Sequence, residues 1–154
     1  MKQVEFIVDV ASPNAYLVNQ VLPAICASHG ASLKYTPCLL GGLFKSTNNQ
    51  APMMAFAEIK EKLAYETLEM QRFIELHQLT KFKMNPHFPV NTLLTMRGAI
   101  VADQIGRLKD YIDAMSIAMW EDGMKLDDLE VLGTVWAKAG FDADEFAQKV
   151  QDPA

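Results

Sequence analysis

The sequence predicts an α/β fold in which an N-terminal β-α-β unit leads into an all-helical remainder. Two observations predict it. Apolar residues alternate through residues 4–10 and stop at Ser12-Pro13, and after Pro52 the apolar period lengthens from two to three-and-four. The chain has 154 residues, half of them hydrophobic, with a net charge of −5, which fits one globular domain.

Each element follows in order. Val4, Phe6, Val8 and Val10 mark the buried side of a first strand. Ser12 suits an N-cap, and Pro13 suits the first helical turn, where its missing N–H costs nothing. The helix extends to about residue 28, with Tyr16, Leu17, Val21, Ala24 and Ile25 inward, a kink expected at Pro23 and a stop at Gly30. Leu33, Tyr35 and Cys38-Leu39-Leu40 indicate a second strand, parallel to the first through a right-handed crossover. Gly41-Gly42 then opens a loop that continues through residues 47–50.

Beyond Pro52, one long helix is predicted from Phe56, Ile59, Leu63, Met70, Phe73 and Ile74, ending near His77. Residues 83–89, with two prolines, form an irregular segment. Three apolar stripes follow: Leu93, Met96, Ile100 and Ile105; then Leu108, Ile112, Met115 and Met119-Trp120; then Leu129, Leu132, Val135 and Trp136. Asp142 and Glu145 predict a capped last helix. The division is thus residues 1–51, a β-α-β part, and residues 52–154, a helical part. Two parallel strands make no stable sheet alone. Either the helices cover them unusually well or further strands lie beyond residue 154; for the chain alone this predicts association along the first strands, an exposed apolar face there, or a helical part folded over the open edge.

An acidic chain lacks the basic face needed for nucleic acid or an anionic membrane. No run is long and apolar enough to span a bilayer. Glu5 and Asp9 interrupt the first apolar run, unlike the core of a signal peptide, so a cytoplasmic location is expected. Cys26 and Cys38 are too far apart for a C-x-x-C pair and too few for a zinc site; they read as reduced, mostly buried thiols, with no metal.

Ser12 is the first chemical candidate. At a strand-to-helix turn it sits at the positive end of a helix dipole, which suits an anion such as a thiolate, although most serines there only cap. Of the three histidines, His29 and His77 fall near helix ends and His87 in the proline-rich segment. None is spaced to serve as a base for Ser12, which disfavours a hydrolase. No H-E-x-x-H, P-loop or dinucleotide-binding glycine pattern occurs. The segments 41–49 and 85–91 read equally as ligand-side walls and as solvated connections.

Together the blocks are specific. FIVDVASPNAYL resembles the D-x-x-S-P-x-x-Y-L opening of 2-hydroxychromene-2-carboxylate isomerases and kappa-class glutathione transferases. LLGGLFKSTNNQAP resembles their LLGG-x-FK-x-x-GN block, NPHFPVNTL the third block of the isomerases, and MWEDG with AGFD the end of their helical domain. The resemblance implies a thioredoxin-like fold of the DsbA and kappa type, with a large all-helical insertion after the first β-α-β unit. It also implies that the C-terminal strands of the thioredoxin domain are missing from this chain. Those would carry a cis-proline loop and a G-x-D-R-like segment that binds the γ-glutamyl end of glutathione.

Where redox relatives carry C-x-x-C, this chain reads Ser12-Pro13-Asn14-Ala15, so disulfide exchange there is chemically impossible. The resemblance implies glutathione as cofactor, with the Ser12 hydroxyl and the helix N-terminus holding its thiolate. The implied reaction is thiolate addition to the conjugated double bond of a hydroxychromene carboxylate, rotation about the bond made single, and elimination. The product is trans-o-hydroxybenzylidenepyruvate. Carried over residue by residue, Ser12 is the catalytic serine. Asn49, Lys62 (three before Tyr65, as in K-x-x-Y) and Lys45 join it in holding glutathione. Asn85, His87 and Asn91 fall on the side of the aromatic carboxylate substrate. Asn48 stands where the family has glycine, and asparagine also tolerates a left-handed backbone. A homodimer is expected. The rival readings are a kappa-type transferase or DsbA-like protein acting on another electrophile, and a non-catalytic helical module.

Overall fold

The computed structural model describes residues 2–152. The elements are β1 (Gln3–Val8), α1 (Pro13–Ser28), β2 (Ser32–Pro37), α2 (Leu40–Ser46), α3 (Pro52–Ala55), α4 (Lys60–Leu76), α5 (Leu93–Gln104), α6 (Leu108–Trp120), α7 (Leu129–Lys138) and α8 (Ala143–Lys149). β1 and β2 pair in parallel, from Gln3 opposite Ser32 to Val8 opposite Pro37. No strand follows Pro52 among the described residues.

Phe6 and Val8 are buried under the helices, as their alternation requires. On the other face Glu5 accepts hydrogen bonds from Thr36 (2.6 Å) and Lys34 (3.0 Å), which hold its carboxyl below the usual range. Ile7, 61% exposed, is the large apolar side chain of β1 on that face, so the exposed apolar patch expected from the sequence shrinks to one residue. The Lys2 carbonyl takes the Ser32 N–H and the Val8 carbonyl takes the Cys38 N–H. Even-numbered β1 residues therefore bond toward β2, and the opposite edge of β1 has no strand partner among the described residues.

α1 runs unbroken past Pro23 and ends before Gly30, whose φ of +62° needs no Cβ. Its rotation differs from the predicted one. Tyr16, Leu17, Asn19 and Cys26 are buried, while Ala24 and Ile25 are exposed. A polar network sets the rotation: Tyr35 Oη donates to Asn19 Oδ1 (2.9 Å), and Asn19 Nδ2 donates to Asp113 Oδ1 (2.8 Å). An inward asparagine with both ends satisfied outweighs exposing one isoleucine.

Three further expectations are corrected. β2 stops at Pro37, and Leu40-Gly41-Gly42 starts a helix rather than a strand end and loop; the Leu40 N–H is taken by the Asp9 carboxylate at 2.8 Å. The long helix after Pro52 is two helices, broken at residues 56–59, and α4 has no buried residue because its apolar side lines a cavity. In α5 the inward side is Thr95, Met96, Gly98, Ala99, Val101 and Ala102, with Leu93, Ile100 and Ile105 exposed. The cause is close approach to α6. A Cβ on Gly98 would lie 2.2 Å from Tyr111 Oη, which donates to the Thr95 carbonyl at 2.8 Å and accepts from Trp136 Nε1 at 3.2 Å. Gly98→Ala is accordingly expected to destabilise the chain by about 2 kcal/mol through overpacking, read as a lowered urea midpoint.

α6 and α7 follow their predicted stripes: Ile112, Met115, Met119, Trp120, Leu132 and Trp136 are fully buried. One core joins Phe6, Val8 and Tyr16 to Trp120, Trp136 and Phe146, so it crosses the 51/52 division without interruption. Trp120 Nε1 donates to the Val10 carbonyl (2.8 Å), pinning the helical layer to the end of β1. Among the described residues, no helix is long and apolar enough to cross a membrane.

Burial is the main cause raising the pKa of the Tyr111 phenol, and of the Tyr16 phenol, which also donates to Glu121 (3.1 Å). The neutral forms are thus favoured in the folded state. Their stabilisation is complete below the unfolded tyrosine pKa of about 10 and is lost as pH rises above it. The urea midpoint is expected to hold steady to about pH 9 and to fall continuously as the pH rises above about 10.

Candidate active site

The turn between β1 and α1 places Ser12 with an extended backbone (φ −85°, ψ 119°), its N–H donating to the Asp9 carbonyl at 3.0 Å. Ser12 Oγ accepts from the Ala15 N–H (3.3 Å), so the hydroxyl proton remains available to an outside acceptor. Asn14 N–H has no partner among the described residues, and no acidic side chain occupies the first turn of α1 to offset its dipole.

Ser12 lies on the wall of a cavity of about 980 Å³. Ala11, Pro13 and Leu17 flank it, and α2 contributes Leu40 and Phe44. The far walls come from α4, through Leu63, Met70 and Phe73, and from the proline-rich segment, through Met84 and Phe88. This size and apolar character suit a drug-sized ligand with an aromatic part.

Asp9 organises that wall. It is 3% exposed, and its carboxylate accepts three hydrogen bonds: Ala11 N–H (2.9 Å), Leu40 N–H (2.8 Å) and Thr92 Oγ1 (2.8 Å). The α2 N-cap, Leu39, has no side-chain cap of its own, so Asp9 supplies one from the turn after β1. Sequence reading passed over Asp9, although a charge between the apolar Val8 and Val10 was the available signal.

The other expected site residues lie elsewhere. Asn49 N–H donates to the Phe44 carbonyl (2.8 Å) and closes α2, while Asn49 Oδ1 accepts from Gln50 N–H (2.9 Å). Asn48 adopts φ 53°, the left-handed backbone its type tolerates. Lys45 is exposed in the last turn of α2, and Lys62 Nζ sits 3.1 Å over the Phe56 ring; neither lines the cavity. Asn85, expected on the substrate side, is buried instead. Its Nδ2 donates to the Met119 and Met124 carbonyls (2.8 and 2.9 Å) and its Oδ1 accepts from His87 N–H (2.8 Å), so it fixes the segment that presents Met84 and Phe88. The His87 and Asn91 side chains are exposed and outside the cavity wall; Asn91 Oδ1 caps α5 at Leu93 N–H (3.0 Å).

His29 and His77 are the C-caps of α1 and α4 and His87 is off the wall, so among the described residues no histidine lines the cavity with Ser12. No group of three or more His, Cys, Asp or Glu among the described residues is arranged to hold a metal. Cys26 is buried and Cys38 half-buried, both unpaired, and burial, with Asp9 nearby, pushes the Cys38 thiol up. Both thiols are therefore expected to resist iodoacetamide at pH 8 in the folded chain and to react promptly in urea, as intact mass would record.

Comparison with known proteins adds the following. The family model of the DSBA-like thioredoxin domain matches residues 3–154. A 2-hydroxychromene-2-carboxylate isomerase of Pseudomonas sp. (strain C18) is 28% identical over 153 residues, covering 98% of this chain and 69% of the relative. Another of that name from Pseudomonas putida is 25% identical over 145 residues, covering 93% and 68%. A solved 2-hydroxychromene-2-carboxylate isomerase superposes with a TM-score of 0.77 at 22% identity, covering 98% of this chain and 72% of that one.

Proposed function

From the premise that this chain belongs to the DSBA-like thioredoxin-domain family, we propose that it is a glutathione-using isomerase acting on 2-hydroxychromene-2-carboxylate or a close aromatic analogue. The observation that carries the reading is Ser12: a serine with a free hydroxyl proton, at an uncompensated helix N-terminus, on the wall of a large apolar cavity. Because the Ser12 hydroxyl accepts from the helix and donates outward, it favours a thiolate over a thiol. The absence of a histidine beside it argues against serine as a nucleophile.

The residues present fit glutathione at its thiol end: Ser12 Oγ and the Asn14 N–H are the donors, and Ala11, Pro13 and Leu17 flank them on the same wall. Glutathione supplies a thiolate nucleophile when bound. Two unpaired cysteines suit its reducing, cytoplasmic setting. The aromatic substrate ring has Phe44, Phe73 and Met84 to lie against.

A second reading has an observation of its own. Among the described residues no lysine or arginine lines the cavity to pair with a substrate carboxylate, which favours glutathione addition to an uncharged aromatic electrophile. Absorbance assays of the purified chain with the hydroxychromene carboxylate, with and without glutathione, test the proposal. Isomerisation that requires glutathione supports it. Isomerisation without glutathione, or no reaction beside turnover of a neutral electrophile, overturns it.

A further inference from the structure

Four rings stand on the cavity wall: Phe44 from α2, Tyr65 and Phe73 from α4, and Phe88 from the proline-rich segment. They differ in what stands behind them. Among the described residues Phe44 and Tyr65 meet no other ring, and Tyr65 is 57% exposed. Phe73 meets His77, one turn on in the chain and itself exposed. Neither α2 nor α4 has a buried residue. Of the four, Phe88 is the one with a buried ring behind it: Trp120, with ring centres 5.8 Å apart at 46°.

Trp120 is fixed in turn. It is fully buried, stacks on Phe82 (5.7 Å, 23°) and donates from Nε1 to the Val10 carbonyl, two residues before Ser12. Phe82 meets Tyr16, one turn beyond Ser12 in α1, at 5.6 Å. The loop that carries Phe88 is held as closely. Phe88 N–H donates to the Asn85 carbonyl (3.1 Å), and the Asn85 amide is tied to the Met119 and Met124 carbonyls. Pro86 lies against Gly123, where a Cβ would come within 3.3 Å of the proline Cδ. One set of contacts therefore fixes both the Ser12 turn and the Phe88 ring. A ring held in place before the ligand arrives loses no freedom on binding, and side chains supported in this way define a site's geometry.

We infer that Phe88 selects a flat, aromatic electrophile over a saturated one of equal size, by packing its ring on the ring of the ligand. The inference rests on the glutathione reading above, and it holds whether or not the electrophile carries a carboxylate. Apolar area does not make this choice, because a saturated ring with the same number of carbons buries about as much surface. A fixed aromatic pair adds a factor of roughly three to ten in affinity beyond area.

Titration calorimetry with glutathione and two of its S-conjugates, S-benzyl and S-cyclohexylmethyl, tests this on the full chain and on Phe88→Leu. The two conjugates share the peptide and the thioether sulfur and differ in the saturation of the ring. The wild-type chain is expected to bind the benzyl conjugate about fivefold more tightly than the cyclohexylmethyl one. In Phe88→Leu that preference is expected to vanish while the affinity for glutathione itself is unchanged. Near-ultraviolet circular dichroism checks that Trp120 is still packed. Equal binding of the two conjugates to wild type, or a preference retained in Phe88→Leu, overturns the inference and leaves the glutathione reading standing. If neither glutathione nor its conjugates bind at millimolar concentration, both fall. A second measurement is independent of the variant's folding: nuclear Overhauser contacts in the wild-type chain are expected from the bound benzyl protons to the Phe88 ring. Their absence with the benzyl conjugate bound also overturns the inference.

Discussion

Ser12→Ala is expected to lower glutathione-dependent turnover about 100-fold while costing only about 1 kcal/mol of stability. The two effects separate because the hydroxyl has two jobs. As an acceptor it caps α1 through the Ala15 N–H at 3.3 Å, a long bond whose loss has the usual cost of a missing N-cap. As a donor it faces the cavity, and under the proposed function it would hold a charged reacting group, where loss of a preorganised hydrogen bond has a far larger effect. The pH profile gives a further signature. Without the donor the bound thiol ionises less readily, so the rising limb of turnover shifts to higher pH in Ser12→Ala. Ser12→Thr keeps a hydroxyl and a fair cap, and is expected to recover most of the turnover. Unchanged turnover with a sharply lowered melting temperature would make Ser12 a cap alone.

The course of the backbone was legible wherever local signals agreed. Alternation marked β1, Ser12-Pro13 marked the start of α1, and the stripes of α6 and α7 were read residue by residue. What failed depended on partners distant in sequence. Leu40-Gly41-Gly42 forms a helix because the Asp9 carboxylate, 31 positions earlier, accepts the Leu40 N–H. α5 turns its small residues inward because Tyr111 needs the space at Gly98, and apolar periodicity cannot express a preference for having no side chain. The site divides in the same way. The capping role of Ser12 was readable from the sequence, and the structure places the residue on the cavity wall. Asn85 and Asn91 carry equally polar side chains in an equally suggestive block, yet their amides serve the backbone around them. Polar type and loop position do not distinguish a group that holds a loop from one that holds a ligand; only the list of its partners does.

That distinction gives Asp9 the largest expected effect on stability. Asp9→Ala is expected to cost about 3–5 kcal/mol, because it strands three donors at once: the N–H groups of Ala11 and Leu40 and the hydroxyl of Thr92. The site is buried, so water cannot readily replace the carboxylate. Asp9→Asn separates charge from shape. An amide oxygen can still accept from Ala11 and Thr92, but its NH₂ must then face the Leu40 N–H, donor against donor, and the start of α2 is the element released. Leu40 and Phe44 stand on the cavity wall, so Asp9→Asn is expected to raise the KM for the aromatic substrate more than it lowers kcat. Thr92→Val isolates one arm: it removes a donor and leaves Asp9 two partners, for about 1 kcal/mol. Combining Thr92→Val with Asp9→Ala should cost less than the sum of the two, since the hydroxyl stranded by the alanine is then gone. Urea unfolding of the four chains checks this. Strict additivity would mean that the Asp9–Thr92 bond contributes nothing to holding the cavity wall together.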